Sequence, residues 1–193
     1  HATEGHFCVR DAGFSGNDCS LRMCPKSYDV LTIDNNPNRR TIRLETGTES
    51  GKLNGQYSFA FSGAVTKLTA DSNLMTSEAC TSFISNMLSF GAVTCEREII
   101  NENDNSGSYL ITILTYPVMP HENNLFSHNG NPSINSFKCN MTDTLGLGAI
   151  NPYCSITDVI KDDLPIYYEC GNHGTCDSFN GLCNCHNGYN GLA

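Results

Sequence analysis

Cysteine content is the feature that most limits how this chain can fold. Eleven cysteines stand among 193 residues, and four of them fall within residues 170–185. Disulfides form and persist in oxidising compartments, whereas cytosolic thiols are kept reduced. We therefore expect a secreted chain stapled by disulfides.

The stretch from Cys170 to residue 191 resembles the later part of an EGF-like module. Cys170 and Cys176 flank a glycine-bearing loop, one residue separates Cys183 from Cys185, and a Gly-Tyr-Asn-Gly turn follows at residues 188–191. The resemblance implies a Cys170–Cys183 disulfide. It also implies that Cys185 pairs with a cysteine beyond the chain end.

A zinc site is the competing interpretation of these clustered cysteines. The C-x-C of Cys183 and Cys185 has no matching C-x-x-C elsewhere in the chain, so its spacing fits zinc poorly. We therefore expect no metal here. Calcium binding by an EGF-like module needs acidic residues just before the first cysteine, and residues 20–23 offer none.

The N-terminal segment resembles the last loop of another EGF-like module, which implies a Cys8–Cys19 disulfide. Its Gly-Phe-Ser-Gly turn at residues 13–16 corresponds to the turn at residues 188–191. His6 stands where a full module has its fourth cysteine. Residues 1–27 are thus expected to hold a module fragment and a linker.

The string from Cys19 to Pro25 resembles the junction between tandem EGF repeats of the tenascin kind, which makes Cys24 a first cysteine. The second cysteine expected in that context does not follow until Cys170. We therefore predict that a domain of residues 28–165 is inserted into one EGF-like module, whose remainder is residues 166–193. The resemblance then implies a Cys24–Cys176 disulfide.

Four cysteines remain, all inside the predicted insert. The simplest arrangement joins neighbours, Cys80 with Cys95 and Cys139 with Cys154. Four cysteines allow three connectivities, so the other two pairings stay open.

The predicted insert is rich in strands and contains one helix. Alternating apolar and polar residues predict strands at residues 28–33, 40–45, 56–61, 65–69, 93–100, 108–118, 137–141 and 153–159. Apolar residues at three- and four-residue steps predict a helix over about 76–89. We therefore predict a mainly β chain: an α+β insert, with the helix packed on an antiparallel sheet, between small disulfide-rich EGF-like ends.

A wider resemblance covers nearly the whole chain. Residues 55–63, 91–94, 108–113, 122–126 and the module at 169–176 are together similar to the Cys-rich proteins of tubular mastigonemes, the flagellar hairs of stramenopile algae. That family includes the sexually induced proteins of diatoms. The resemblance implies an extracellular structural protein, located on a flagellum or cell-surface hair, that polymerises with copies of itself.

Enzyme motifs are incomplete or absent in this sequence. His121 and Glu122 begin like a metalloprotease motif, but Leu125 stands where the second histidine is needed, and His128 lies in a turn-rich segment. Neither a nucleophile elbow nor a phosphate-binding loop occurs. We therefore expect no catalytic residue and no cofactor. An adhesion or receptor-like module that binds a glycan or protein partner is the alternative function, and a secreted hydrolase is a distant third.

Charge and hydropathy limit the partners. The net charge of −9 argues against nucleic acid and anionic lipid. No apolar run approaches the roughly 20 residues that span a bilayer. We expect neither nucleic-acid binding nor membrane insertion.

Several exposed groups are predicted to carry sugars or subunit contacts. Asn140 begins an Asn-Met-Thr sequon for N-glycosylation. The EGF resemblance implies O-linked sugar on Thr175 and Ser15. A head-to-tail contact between unlike surfaces propagates into an open filament. The candidate aromatic anchors for such a contact are Phe14, Phe179 and Tyr189.

Overall fold

The computed structural model describes residues 13–16, 18–31, 40–117, 119–121, 124–126, 128–144, 148–160 and 166–191. The chain divides into two compact units. The sheet unit comprises Arg39–Tyr116 and Ser133–Asp162, and the cysteine-rich unit comprises His1–Asn38, Pro117–Pro132 and Asp163–Ala193. Residues 117–132 of the predicted insert thus cluster with the cysteine-rich unit.

The described residues are mostly β-structure with a single α-helix, which confirms the predicted fold class. In chain order the elements are β1 (Phe14–Ser15), β2 (Leu21–Arg22), β3 (Lys26–Tyr28), β4 (Arg40–Gly47), β5 (Ser50–Gly51), β6 (Gln56–Phe61), β7 (Ala64–Thr69), α1 (Ser77–Ser85), β8 (Val93–Ile100), β9 (Gly107–Ile113), β10 (Phe137–Asn140), β11 (Ala149–Ile150), β12 (Tyr153–Ile160), β13 (Tyr167–Glu169), β14 (Gly174–Asp177) and β15 (Leu182–Cys185). No helix in the described parts of the chain is long and apolar enough to cross a membrane.

The sheet unit contains two larger antiparallel sheets. Strands pair in the order β12-β4-β9-β8 in one and β10-β6-β7 in the other. The helix packs on an antiparallel sheet, as predicted, and the strands divide between two sheets because the β6–β7 hairpin pairs with β10 and not with β4 or β9. The hairpin itself follows from local chemistry. Ser62 and Gly63 both have positive φ, as a two-residue turn between right-twisted strands requires.

One hydrophobic core lies within the sheet unit. Alternate residues of each strand enter it, such as Ile42 and Leu44 of β4 and Tyr57, Phe59 and Phe61 of β6, all fully buried. The rings of Phe61 and Phe137 stack at 4.3 Å between centroids. Burial of this alternating set is what makes the strand pattern visible in the sequence.

Helix α1 begins at Ser77, where the Thr76 hydroxyl caps it by accepting the Ala79 N–H. It ends at Ser85, earlier than the predicted residue 89, because the chain tightens into a turn at Asn86 in which the Met87 N–H donates to the Ile84 carbonyl. The helix packs on β8 and β7.

Helix α1 also covers the outer edge of β8. The Thr81 hydroxyl donates to the Cys95 carbonyl and accepts the Cys95 N–H, and the Ser77 hydroxyl accepts the Arg97 N–H. Cys80 and Cys95 are joined by a disulfide beside these bonds. Two helix hydroxyls thereby satisfy backbone groups that an edge strand otherwise leaves unpaired.

Two predicted strands differ from the structure. The strand predicted over 28–33 overlaps β3 (Lys26–Tyr28) only at Tyr28, and its residues 32–33 lie outside the described residues. Strand β3 ends at Tyr28 because Asp29 Oδ1 accepts the Leu31 N–H and turns the chain. The strand predicted over 108–118 ends at Ile113, because the N–H groups of Leu114 and Thr115 both donate to the Ala92 carbonyl.

Candidate functional site

Three short strand pairs are found among the described residues of the cysteine-rich unit. Strand β1 pairs with β2, β3 with β13, and β14 with β15, all antiparallel. The β3–β13 pair sets Tyr28 opposite Tyr167 and Lys26 opposite Glu169. The segment that precedes residue 29 and the segment that follows residue 166 are therefore neighbours in space.

Among pairs in which both cysteines are described, two disulfides lie in this unit and two in the sheet unit. The structure joins the pairs Cys24–Cys176, Cys170–Cys183, Cys80–Cys95 and Cys139–Cys154. These are pairings proposed from the sequence. Cys19 is also in a disulfide, and its predicted partner Cys8 lies outside the described residues. Cys185 is an exposed free thiol, and its pairing with a cysteine beyond the chain end stays a prediction.

The Cys24–Cys176 and Cys170–Cys183 disulfides pack against each other. The Sγ atoms of Cys24, Cys170 and Cys183 all lie within 4.8 Å of one another, a separation that ligands of one metal ion could also have. Each of these sulfurs is already bonded to another sulfur, whereas a metal ion is bound by the thiolate form. The cluster therefore serves as a small core, in which Cys24 and Cys170 are buried.

Asp29 is buried and binds two residues of the loop at the start of the EGF-like stretch, Asn172 and His173, a set of contacts called the Asp29 clasp below. Its Oδ2 accepts a hydrogen bond from Asn172 Nδ2 at 2.8 Å, and its Oδ1 lies 2.7 Å from His173 Nε2. Because a carboxylate only accepts, His173 Nε2 is the donor. The Asn172 bond above all, together with the Leu31 N–H and His173, holds the pKa of Asp29 below its usual value. No pattern in the sequence indicates these contacts, because Asp29 is more than 140 positions from Asn172 and His173.

A small pocket opens beside the clasp. Its volume is about 150 Å³, and Tyr28, Val30, His173, Cys185 and Tyr189 are among the residues that line it. The Tyr189 ring stacks on the His173 ring at 4.0 Å with 4° between their planes. Pockets for drug-sized ligands measure about 300–1,000 Å³, so this one has room for only a small group.

The turn between β14 and β15 presents the most exposed large apolar side chain of the described residues. Phe179 is 89 % exposed and the nearby Leu182 is 58 % exposed. The turn is held by Asp177, whose carboxylate accepts hydrogen bonds from the Phe179 N–H and from Asn180 Nδ2. An apolar ring is thus held out into solvent by an ordered turn.

The other two predicted anchors have neighbours within their own unit. The Arg22 guanidinium lies 5.4 Å from the centre of the Phe14 ring, which is 38 % exposed. Tyr189 is 36 % exposed and stacks on His173. Among the described residues no ring or guanidinium packs on Phe179, so it is the least covered of the three anchors.

The β1–β2 hairpin lies against the Phe179 turn. The Arg22 N–H donates to the Ser178 carbonyl at 2.7 Å. A Cβ at Gly181 would lie 3.1 Å from Arg22 Cβ, and Gly181 has a φ of +76°. The two EGF-like segments predicted at the chain's two ends therefore adjoin within one unit.

The predicted modification and metal residues fall in different places. Ser15 is partly buried in β1, Thr175 is exposed in β14, and Asn140 is exposed at the end of β10 in the sheet unit. The His121 ring packs on Phe126 and Glu122 lies outside the described residues. Neither His121 nor His128 belongs to a three-ligand cluster within the described part of the chain.

Comparison with known proteins identifies one segment. Residues 165–193 match the family model described as an EGF-like domain. No curated protein and no solved structure gives a significant match. The EGF-like domain and the disulfide-rich fold fit a secreted module of extracellular type. EGF-like domains are typically structural or binding modules.

Proposed function

We propose that this chain is a structural subunit of an extracellular filament, similar to the tubular hairs of algal flagella, and that copies assemble through head-to-tail contacts. The short motifs shared with the mastigoneme proteins support this proposal, together with the disulfide-rich, secreted character of the chain. In this scheme the domain of residues 28–165 is inserted in sequence into one EGF-like module, between Cys24 and Cys170, and the Cys24–Cys176 bond supports it.

Phe179 is the observation that carries the proposal. Phe179 is 89 % exposed and Leu182, close to it, is 58 % exposed. A partner that covers this apolar surface removes it from water, which favours association. The hydrogen bonds of Asp177 fix the turn, so little conformational entropy is lost when a partner covers the ring. Aromatic residues that fill a pocket on a partner supply much of the energy of protein contacts.

The symmetry of the contact decides whether a filament forms. If the Phe179 turn met the same turn on a second copy, the contact would close as a dimer. A filament requires that the turn of one copy enters a different surface on the next copy, which leaves a free turn at one end for the next addition. We therefore propose a heterologous contact with Phe179 as its anchor and Phe14 and Tyr189 at its margin.

The test is electron microscopy and sedimentation of the purified chain with its disulfides verified. We expect uniform filaments from the natural chain and monomers from Phe179→Ser. Leu88 provides a matched control because it is 73 % exposed and lies in the sheet unit. Leu88→Ser should still assemble. Equal assembly by both variants would remove Phe179 from the contact.

The pocket beside His173 favours a second function, an adhesion module that captures a small group of a glycan or protein. The rings of Tyr28, His173 and Tyr189 line this pocket and are suited to pack against a small sugar group. A monodisperse monomer that binds a defined glycan, and loses it on Tyr28→Ala but not on Phe179→Ser, would support this function instead.

A further inference from the structure

Asn140 lies on the outer face of the three-stranded sheet. It is the last residue of β10, an edge strand, and its backbone register places it opposite Ser58 of β6. Along β10 the side chains alternate, so that Phe137 is buried while Lys138 and Asn140 are exposed. Cys139, between them, is bonded to Cys154. This bond helps to hold the strand in a register that turns Asn140 to solvent.

The side chain of Asn140 is oriented by the residue two positions later. Asn140 Oδ1 accepts the Thr142 N–H at 2.8 Å and also contacts the Thr142 hydroxyl. A backbone N–H can only donate, so the amide atom that faces it must be the oxygen. The Asn140 Nδ2 nitrogen therefore points away, and it has no hydrogen-bond partner among the described residues.

Asn140 is exposed, and its nearest neighbours across the outer face of the sheet are polar. It lies opposite Ser58 of β6, which pairs in turn with Lys67 of β7. Lys67 is drawn toward Asp143, with which it forms an ion pair. A bulky polar group attached at Asn140 would thus meet hydroxyl and ammonium groups and would not displace the core.

We propose that Asn140 carries an N-linked glycan in the secreted protein. The co-reactant is a lipid-linked glycosyl pyrophosphate of the secretory pathway. Asn140 Nδ2 forms a bond to the anomeric carbon of the sugar and loses one proton, while the bond from that carbon to the phosphate oxygen breaks and the lipid pyrophosphate leaves with the electron pair. The Thr142 hydroxyl completes the sequon and contacts the amide oxygen, which leaves the nitrogen as the attacking atom.

The chain contains its own negative control. Asn131 is followed by Pro132 and Ser133, and proline at this position blocks modification of an otherwise similar sequence. Asn131 is exposed, as Asn140 is. A difference between these two asparagines would therefore come from the sequon and not from exposure.

The experiment uses the full chain secreted from a eukaryotic host that attaches N-linked glycans. Glycopeptides are mapped before and after peptide N-glycosidase treatment in heavy-oxygen water, which marks each released site as aspartate. We expect sugar on the peptide that holds Asn140 and none on the one that holds Asn131. The sugar should be lost in Asn140→Gln and Thr142→Ala and retained in Thr142→Ser.

Glycopeptide mapping of the natural chain tests the proposal even if a variant folds poorly. A bare Asn140 peptide from secreted chain with all four described disulfides closed would overturn the proposal, and so would sugar that persists in Asn140→Gln. Neither outcome depends on filament formation, so this proposal and the proposed function fail separately.

Discussion

Cys24 and Cys176 are bonded although 152 positions separate them, and their Cα atoms lie 5.7 Å apart. The bond closes a loop that contains the whole sheet unit. Cys139 and Cys154, in contrast, close a loop with a separation of only 15 residues. The two disulfides therefore allow one comparison of long and short loop closure in the same protein.

Removal of the long closure should cost more stability than removal of the short one. We expect Cys24→Ala with Cys176→Ala to lower the free energy of global unfolding by about 2–5 kcal/mol. In the chain-entropy treatment the loss should exceed that for Cys139→Ala with Cys154→Ala by on the order of 2 kcal/mol. Native-state hydrogen exchange at β14 and at β10 measures both. Equal losses would show that loop length does not determine how much each disulfide stabilises the protein.

Strand positions in the sheet unit were predictable where a strand has one buried face. The predicted 56–61 and 93–100 coincide with β6 and β8, and burial alternates along β6 and through the first four residues of β8. That alternation is a local signal that needs no partner. The candidate glycosylation site at Asn140 could also be proposed from a local signal, because a sequon consists of three consecutive residues.

Strand partners and the Asp29 clasp could not be predicted in this way. The pairing of β6 with β10, and its register, depend on the packing of Phe61 on Phe137, two residues that are distant in sequence. Asp29 forms its bonds to Asn172 and His173 only once β3 and β13 have paired. Such contacts leave no periodic trace, because any polar residue can follow a strand.

Arg40 and Asp158 form a buried ion pair in the sheet unit, with Arg40 Nε 2.8 Å from Asp158 Oδ1 and side-chain exposures of 4 % and 12 %. Asp158→Ala leaves a guanidinium buried without its carboxylate, which should cost about 3–5 kcal/mol. Arg43 and Glu98 form a more exposed pair with a similar distance. Glu98→Gln should cost far less, because water solvates the remaining charge. Denaturant melts of both variants test this, and equal losses would contradict the role of burial.

Tyr57 and Tyr109 carry buried hydroxyls that have no hydrogen-bond partner among the described residues. Burial raises the pKa of Tyr109 to about 12 and that of Tyr57 well above its usual value, so both stay neutral in the folded chain. We expect Tyr57→Phe to leave stability unchanged or raise it by up to about 1 kcal/mol, since an unpartnered hydroxyl costs free energy when buried.

The neighbouring Phe59 is the control for that substitution. Phe59→Ala removes a fully buried ring and should cost about 3–5 kcal/mol. A loss for Tyr57→Phe comparable to that for Phe59→Ala would mean that the hydroxyl is bonded after all.

His128 should make the cysteine-rich unit less stable in mild acid. Burial lowers the pKa of His128 to about 4, and its Nδ1 accepts the Gly130 N–H at 3.0 Å, a bond that protonation of Nδ1 would break. In the unfolded chain a histidine titrates near 6.5. Between these values the unfolded state binds a proton that the folded state does not, so stability falls as the pH drops from about 6.5 to about 4. The loss should be on the order of 1–3 kcal/mol, the upper value being the full shift.

The pKa of Asp29 is lowered as well, but its stabilising effect is lost only below that window, as the pH falls through its folded pKa. Hydrogen exchange or denaturant unfolding at closely spaced pH values should therefore show that stability increases with pH between about 4 and 6.5. His128→Asn should remove this dependence on pH, and Asp29→Asn should leave it in place. A slope that survives His128→Asn would assign the acid sensitivity to another group.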